Sequence, residues 1–428
     1  MRSRMESDIH PQAKMRIVRQ SLQHINWVSP RPTQAAILLC LVMAALCCIS
    51  CERETSTPLE HGAYVWQRSW TPAVAQSIEA SASFLSGWHI LLAETDSVDH
   101  WQEFKPDAAT LTRHAGALSA VVRIDGQRAL ADPEVLAKRL VVALSHAPPG
   151  TPWNSVEVDY DCPSRQLLAY ATFIRRLKAT LPREISLSIT ALPTWIGAHG
   201  LNDLLTAVDA SVLQVHSVQD PRRGLFDPQR ALAWITAYAH VTDKPFQVAL
   251  PDYGSRVGWD SQDRVVSVLS EQPGVPRGAR QEELEANPQD VAALLAHLRA
   301  GHPRNLTRIL WFRLPVTGDR RIWSTRTLES VIRGQPLLNQ STLSIERDRL
   351  GAYTVVLRNT GNTDTPLPRT VRTGFCVAAD GLSGYHVEHG SQSLAFNRAD
   401  ITMLHAGQQT AIGWTRCVLT PQDITLED

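Results

Sequence analysis

Between about His61 and Val316, short apolar runs alternate with longer stretches in which apolar residues recur every three or four positions. A run followed by such a stretch is the pattern of a strand followed by a helix, so the segment reads as a chain of βα units. Eight strands are predicted: Ala63–Trp70, Trp88–Thr95, Leu118–Asp125, Val156–Cys162, Ile185–Ala191, Val212–Ser217, Phe246–Pro251 and Arg308–Leu314. Helices are predicted over Pro72–Leu85, Asp132–Ser145, Ser164–Thr180, Leu201–Val208, Pro228–His240 and Pro288–Ala300. Eight repeats over about 250 residues match a closed (β/α)8 TIM barrel. Glu271–Gln289, rich in proline, glycine and charge, breaks the pattern and is read as a long loop on the rim after the seventh strand.

After about Gln335 the helical period disappears. Leu343–Glu346, Tyr353–Asn359, Arg372–Val377 and Gln409–Thr415 alternate with turn sequences such as Asn359-Thr360-Gly361-Asn362, which predicts a small all-β sandwich-like C-terminal domain. The expected partition is a targeting segment over 1–51, a linker over 52–60, the barrel over 61–334 and an accessory β-domain over 335–428.

One strand carries an unusual polar pattern. Val156-Glu157-Val158-Asp159-Tyr160-Asp161-Cys162-Pro163 alternates apolar and acidic residues, so Glu157, Asp159 and Asp161 share one strand face at spacings of roughly 6–7 Å. Carboxylates this close resist joint ionisation, and at least one should hold its proton near neutrality, as a general acid requires. The competing expectation is a buried acid row neutralised by Arg68, Arg123 and Arg313. In a barrel the residues at the carboxyl ends of the strands form the site. Reading those ends adds Trp66, Glu94, Asp125, Thr190, Gln214, His216, Asp252, Tyr253, Trp311 and Arg313. Acids, amides and aromatic rings together suit a carbohydrate ligand, with Glu157, Glu94, Trp66, Gln214, His216, Asp252, Tyr253, Trp311 and Arg313 as binding residues.

Charge and cysteine usage narrow the partners. Lys plus Arg and Asp plus Glu are 42 each, and no basic stripe stands out, so nucleic acid is not an expected partner. Arg16, Arg19 and Arg31 precede an apolar run from Ala35 to Ile49 that is shorter than the ~20 residues of a membrane span and fits a signal-peptide core. Cys48-Ile49-Ser50-Cys51 resembles the lipobox of bacterial lipoproteins, which implies lipidation of Cys51, anchoring to the outer membrane facing the periplasm, and a place in the cell envelope. Cleaved secretion and an uncleaved anchor are the alternatives. Of the remaining cysteines, Cys376 and Cys417 fall together in the C-terminal segment and could pair in an oxidising compartment. Cys162 reads as a small buried residue. No His-x-His, HExxH or paired CxxC pattern and no glycine-rich phosphate loop is present, so neither metal nor cofactor is expected.

The run Glu157–Pro163 resembles the fourth-strand signature Asp-x-Asp-Trp-Glu-Tyr-Pro of family-18-type, chitinase-like glycoside hydrolases. Ser186–Pro193 is similar to that family's fifth strand, Val248–Arg256 to its later Gly-x-Pro-Phe-Tyr-Gly-Arg element, and Ile309–Phe312 to its last strand, whose tryptophan floors the sugar site. The chain also resembles a group of bacterial exported proteins of unknown activity in the same barrel superfamily. The resemblance implies Asp161 as the acid that protonates the glycosidic oxygen and Asp159 as its assisting partner. Two departures are visible: aspartate replaces the family's glutamate at 161, and Gln214-Val215-His216-Ser217 replaces its Met-x-Tyr-Asp. A retaining arrangement would instead pair Asp161 with Asp252, at the ~5–5.5 Å separation such enzymes use. Two functions follow as expectations: an exported glycoside hydrolase acting on a polysaccharide or glycoconjugate, or a non-catalytic glycan-binding or envelope-assembly lipoprotein on a degenerate barrel. A barrel lyase or deacetylase is a third.

Overall fold

The computed structural model describes residues 58–95, 100–114, 116–125, 132–146, 153–216, 221–270, 277–399 and 402–427. The targeting segment with Cys51, and Ser217, lie outside the described residues.

Eight parallel strands close on themselves. In chain order they are β1 (Glu60–Val65), β2 (Gly87–Thr95), β4 (Ala117–Ile124), β5 (Trp153–Tyr160), β6 (Ser186–Ala191), β7 (Ala210–Gln214), β8 (Phe246–Pro251) and β12 (Leu306–Phe312). Each pairs with its sequence neighbour in the barrel, and β1 pairs with both β2 and β12 to seal the ring. The seam needs a glycine: a Cβ on Gly62 would sit 2.8 Å from the Gly87 carbonyl oxygen and 2.9 Å from Leu310 Cδ2. A short antiparallel strand, β3 (Trp101–Glu103), pairs with the end of β2.

Helices cover the outside of the ring. They are α1 (Pro72–Ser81), α2 (Ala108–Arg113), α3 (Pro133–His146), α4 (Leu167–Thr180), α5 (Leu201–Ala207), α6 (Pro228–Ala239), α7 (Pro288–Ala300) and α8 (Thr325–Ile332). Proline at the first helical position starts several of them. The preceding Asp227 and Asn287 side chains accept hydrogen bonds from backbone amides inside α6 and α7. The strands are apolar on both faces, as a parallel sheet buried on both sides requires. Outward residues such as Val156, Val158 and Tyr160 join the large core beneath the helices, while Tyr64, Trp66, Leu91, Val121, Val212, Ala249 and Leu310 fill the barrel's interior as a separate cluster.

The expected loop over Glu271–Gln289 is in part a strand. After β8 the chain forms a three-stranded antiparallel sheet in which β9 (Gly254–Trp259) lies between β10 (Val265–Leu269) and β11 (Arg280–Glu285). Its edge strand β11 is polar apart from Leu284, so it lacks the alternation that would announce it.

Beyond α8 the chain folds into antiparallel sheets. One orders β13 (Ser341–Arg347), β14 (Tyr353–Asn359), β21 (Gln409–Thr415) and β17 (Ala379–Gly381). The other orders β18 (His386–His389), β19 (Ser393–Asn397), β16 (Thr370–Gly374) and β22 (Thr425–Glu427). A two-stranded ribbon of β15 (Thr365–Pro366) and β20 (Met403–Leu404) completes the region. Val355, Leu357 and Ile412 from the first sheet share one apolar cluster with Val371, Leu394 and Phe396 from the second. A disulfide joins Cys376 and Cys417, just past β16 and β21.

Candidate active site

The site grows from the pleat of β5. Val158 and Tyr160 face the helices, where Tyr160 packs edge-on against Tyr170 at 5.1 Å, so Glu157 and Asp159 face the barrel's interior. Register then fixes their neighbours: Asp159 lies beside Arg123 of β4, and Arg123 beside Glu94 of β2. Acid and base thus alternate across three adjacent strands.

Glu157 and Asp159 sit at different depths. Glu157 is fully buried. Its Oε1 accepts hydrogen bonds from the Tyr64 hydroxyl at 2.7 Å and the Thr190 hydroxyl at 2.9 Å, while His89 Nδ1 lies 2.5 Å from Oε2. Burial and the nearby Glu157 carboxylate push the Tyr64 hydroxyl well above its ordinary range, so it stays a hydrogen-bond donor. Glu157, expected from the sequence as a binding residue, is therefore held under the mouth of the barrel and does not line the cleft above it.

Asp159, one pleat higher, lies at the floor of an open cleft of about 720 Å³. Removal from water, and then the charge of Asp161, push its carboxyl well above the usual carboxylate range, against the opposing pull of Arg123. Asp161 lies just beyond β5, where the chain leaves the barrel, and is exposed in the same cleft. The charge of Asp161 thus acts on Asp159 within one cleft.

Glu94 also lines the cleft, but guanidinium groups hold it. Arg68 Nε and Nη2 contact its two oxygens at 2.9 and 2.5 Å, and Arg123 Nη1 lies at 3.6 Å. This fork-on-carboxylate contact suits Glu94 to fixing the two arginines in place. His100, Gln102, Asp125, Arg165 and Gln166 complete the polar wall. His100, Gln102, Arg165 and Gln166 were not read from the sequence as site residues. They come from β3 with its preceding residue and from the turn after Pro163, segments with no periodic signal.

Trp66, after the first barrel strand, and the binding residues expected on the sixth, seventh and eighth do not join this cleft. Trp66 is buried in the barrel's interior, 5.7 Å edge-on from Tyr64 and 5.1 Å from Phe312. Trp311 faces the helix layer, stacks on His61 at 6.1 Å and donates its indole N–H to His61 Nδ1 at 3.2 Å. Burial holds His61 down to about 4, which leaves that nitrogen neutral and able to accept. Phe312 takes the inward position instead, so Trp311 floors no site.

Gln214 donates to the His216 carbonyl at 3.3 Å, and His216 and Tyr253 are buried against each other, with Nδ1 and the hydroxyl 3.2 Å apart. Arg313 is 3 % exposed and tied to Asp319 and the Ser270 carbonyl. Asp252 is 0 % exposed, and among the described residues neither of its carboxyl oxygens has a well-formed hydrogen bond. Burial pushes it well above the carboxylate range, against the pull of Arg313. A buried Asp252 cannot serve as the nucleophile of a retaining pair with Asp161. Cys162 is also buried, and its thiol is pushed up to about 12, which makes it inert at neutral pH.

Comparison with known proteins adds the following. Residues 115–317 match the model of a domain of unknown function, DUF3142, and residues 343–418 match a second, DUF8456. No curated protein matches the chain. Similar solved structures include a chitinase from Chromobacterium violaceum, 12% identical over 65% of this chain and 98% of that one, with a TM-score of 0.44. The Bacillus cereus spore cortex-lytic enzyme SleL is 14% identical over 66% of this chain and 76% of its own, at 0.45. A chitinase from Bacteroides thetaiotaomicron is 9% identical over 65% and 97%, at 0.48. All three scores lie below 0.5, so the chemistry has to be argued from this chain's own side chains.

Proposed function

We propose that the chain is an exported glycoside hydrolase in which Asp161 and Asp159 together supply the proton that frees the leaving-group oxygen. The observation that carries this reading is the pair itself: two carboxyls in one open cleft, the deeper one driven to hold a proton. Asp161, at the surface of the cleft, is the residue that reaches the glycosidic oxygen. Asp159 beneath it shares the proton and stabilises the charge left behind. The surrounding arginines, amides and acids offer hydrogen bonds to sugar hydroxyls.

A second reading, a glycan-binding protein without turnover, is favoured by one feature. Among the described residues, the cleft wall contains no phenylalanine, tyrosine or tryptophan on which a pyranose could stack.

A reducing-end assay across a polysaccharide panel, run beside direct binding, separates the two. Turnover by the wild type should fall about 10²- to 10⁴-fold in Asp161→Asn, the usual contribution of a general acid. Activity should also decline as pH rises through the raised titration of Asp159, because that carboxyl must hold its proton. Glycan binding without released ends, in wild type and variant alike, would establish the second reading.

We also propose that Cys51 carries lipid and anchors the chain in the envelope facing the periplasm. The charged lead, the short apolar run and a cysteine pair suited to an oxidising compartment support this. Cys51→Ser should move the protein from the membrane fraction to the soluble one. Retention of the variant in the membrane would refute lipid anchoring at that residue.

A further inference from the structure

On the far side of the barrel mouth, the three-stranded sheet after β8 leans towards the start of α6 and encloses a second cavity of about 400 Å³. This lies within the usual range of small-molecule sites, ~300–1,000 Å³. Its walls are mostly apolar, with Leu225, Phe226, Trp234, Val257 and Leu284 among them. Among the described residues, two buried polar atoms at this cavity lack partners. His216, 2 % exposed, has no hydrogen bond at Nε2, and Ser255, also 2 % exposed, has none at Oγ.

Buried polar groups are normally satisfied, and two orphans lining one cavity mark a place where a ligand's polar group would be welcome. The cavity's entrance adds a second signal. Val265 and Val268 of β10 line it and are 40 % and 49 % exposed, so an apolar ledge stands open to solvent.

We propose that this cavity is a second binding site, for a small uncharged molecule with a ring or branched hydrocarbon body and one hydroxyl or carbonyl group. The apolar body would displace water from the walls and cover the valine ledge, and the polar group would bond His216 Nε2 and Ser255 Oγ. The chemistry of the orphan pair argues for a neutral ligand. Ser255 is uncharged, and burial holds His216 down to about 3, so its ring carries no charge at neutral pH.

The cations on the wall are engaged or peripheral. Arg230 lies over the Trp234 ring at 4.8 Å, and Arg223 is exposed. Neither Asp159 nor Asp161 lines this cavity, so the inference is independent of the hydrolase reading.

Equilibrium dialysis of the full chain against 2-naphthol at pH 6, with 2-naphthoate as a charged analogue of the same shape, tests the proposal. Saturable binding of 2-naphthol is expected, with 2-naphthoate at least about tenfold weaker. Ser255→Ala, which keeps the cavity but removes one hydrogen-bonding atom, should weaken 2-naphthol about three- to tenfold. Val268→Asp, at an exposed position that does not threaten folding, should weaken it about tenfold or more by charging the ledge. Asp161→Asn should leave it unchanged. No saturation, equal or tighter binding of 2-naphthoate, or undiminished binding by both cavity variants would overturn the proposal.

Discussion

Glu157 and Asp159 are two residues apart on the same face of one strand, yet burial gives them opposite tasks. Glu157 has three side chains trained on it and is held in place by them; Asp159 has a cleft above it and an elevated proton affinity. Removing one donor from Glu157 without changing shape should expose that difference. Tyr64→Phe deletes a 2.7 Å bond to the carboxyl in a fully buried setting. The loss should be about 1–3 kcal/mol of unfolding free energy, the cost of leaving a buried acceptor short of a donor, read as a lower urea midpoint at unchanged slope. An unchanged midpoint would mean that Tyr64 contributes nothing through its hydroxyl. The shared face of Glu157 and Asp159 was legible in the sequence, because side-chain alternation is a property of the strand alone. Their depths were not, because depth depends on how far β5 rises before the chain leaves the barrel. Asp161 lies past the strand's last residue, where alternation no longer applies.

Among the elements, a segment is legible where its own residues determine its partner and illegible where the partner decides. The eight barrel strands were legible as β-branched apolar runs, and α6 and α7 as amphipathic stretches opened by Asp227-Pro228 and Asn287-Pro288. By contrast, β11 is a strand because β9 offers it a ladder, with Arg256 and Glu283 of adjacent strands paired across it. Nothing in Arg-Gln-Glu-Glu-Leu-Glu announces this. The misassigned tryptophan has a related cause. Ile309-Leu310-Trp311-Phe312 is apolar throughout, so the run contains no polar residue to mark which face is inward. A slip of one residue exchanges Trp311 and Phe312 and removes the expected sugar platform. The eighth strand was thus legible as a strand while its contribution to the site was not.

At the scale of the molecule, the barrel and the C-terminal sheets meet around one buried carboxylate. Asp364 accepts the Ser324 amide at 2.6 Å and the Ala406 amide at 2.8 Å, its own amide donates to Thr327 Oγ1 at 2.9 Å, and His405 Nδ1 lies 3.2 Å from Oδ2. The N-terminus of α8 is thereby tied to the turn before β21. Burial alone would raise Asp364, but His405 and the Ser324 amide more than offset it and hold the carboxyl below its ordinary range. The same carboxylate holds His405 above its own, against the effect of burial. The depressed acid contributes stability above its unfolded value of about 3.9, and that contribution is lost as pH falls through the folded value. The raised histidine contributes fully below about 6.5, and its share is lost as pH rises through the folded value. The pair should therefore support the junction best between roughly pH 4 and 6.5. Thermal unfolding of wild type and His405→Ala at pH 6 and pH 8.5 isolates this contribution from every other titrating group. The melting-temperature gap should be larger at pH 6, because at pH 8.5 the wild-type imidazole has lost part of its charge. An equal gap at both values would mean that His405 acts through packing and not through charge.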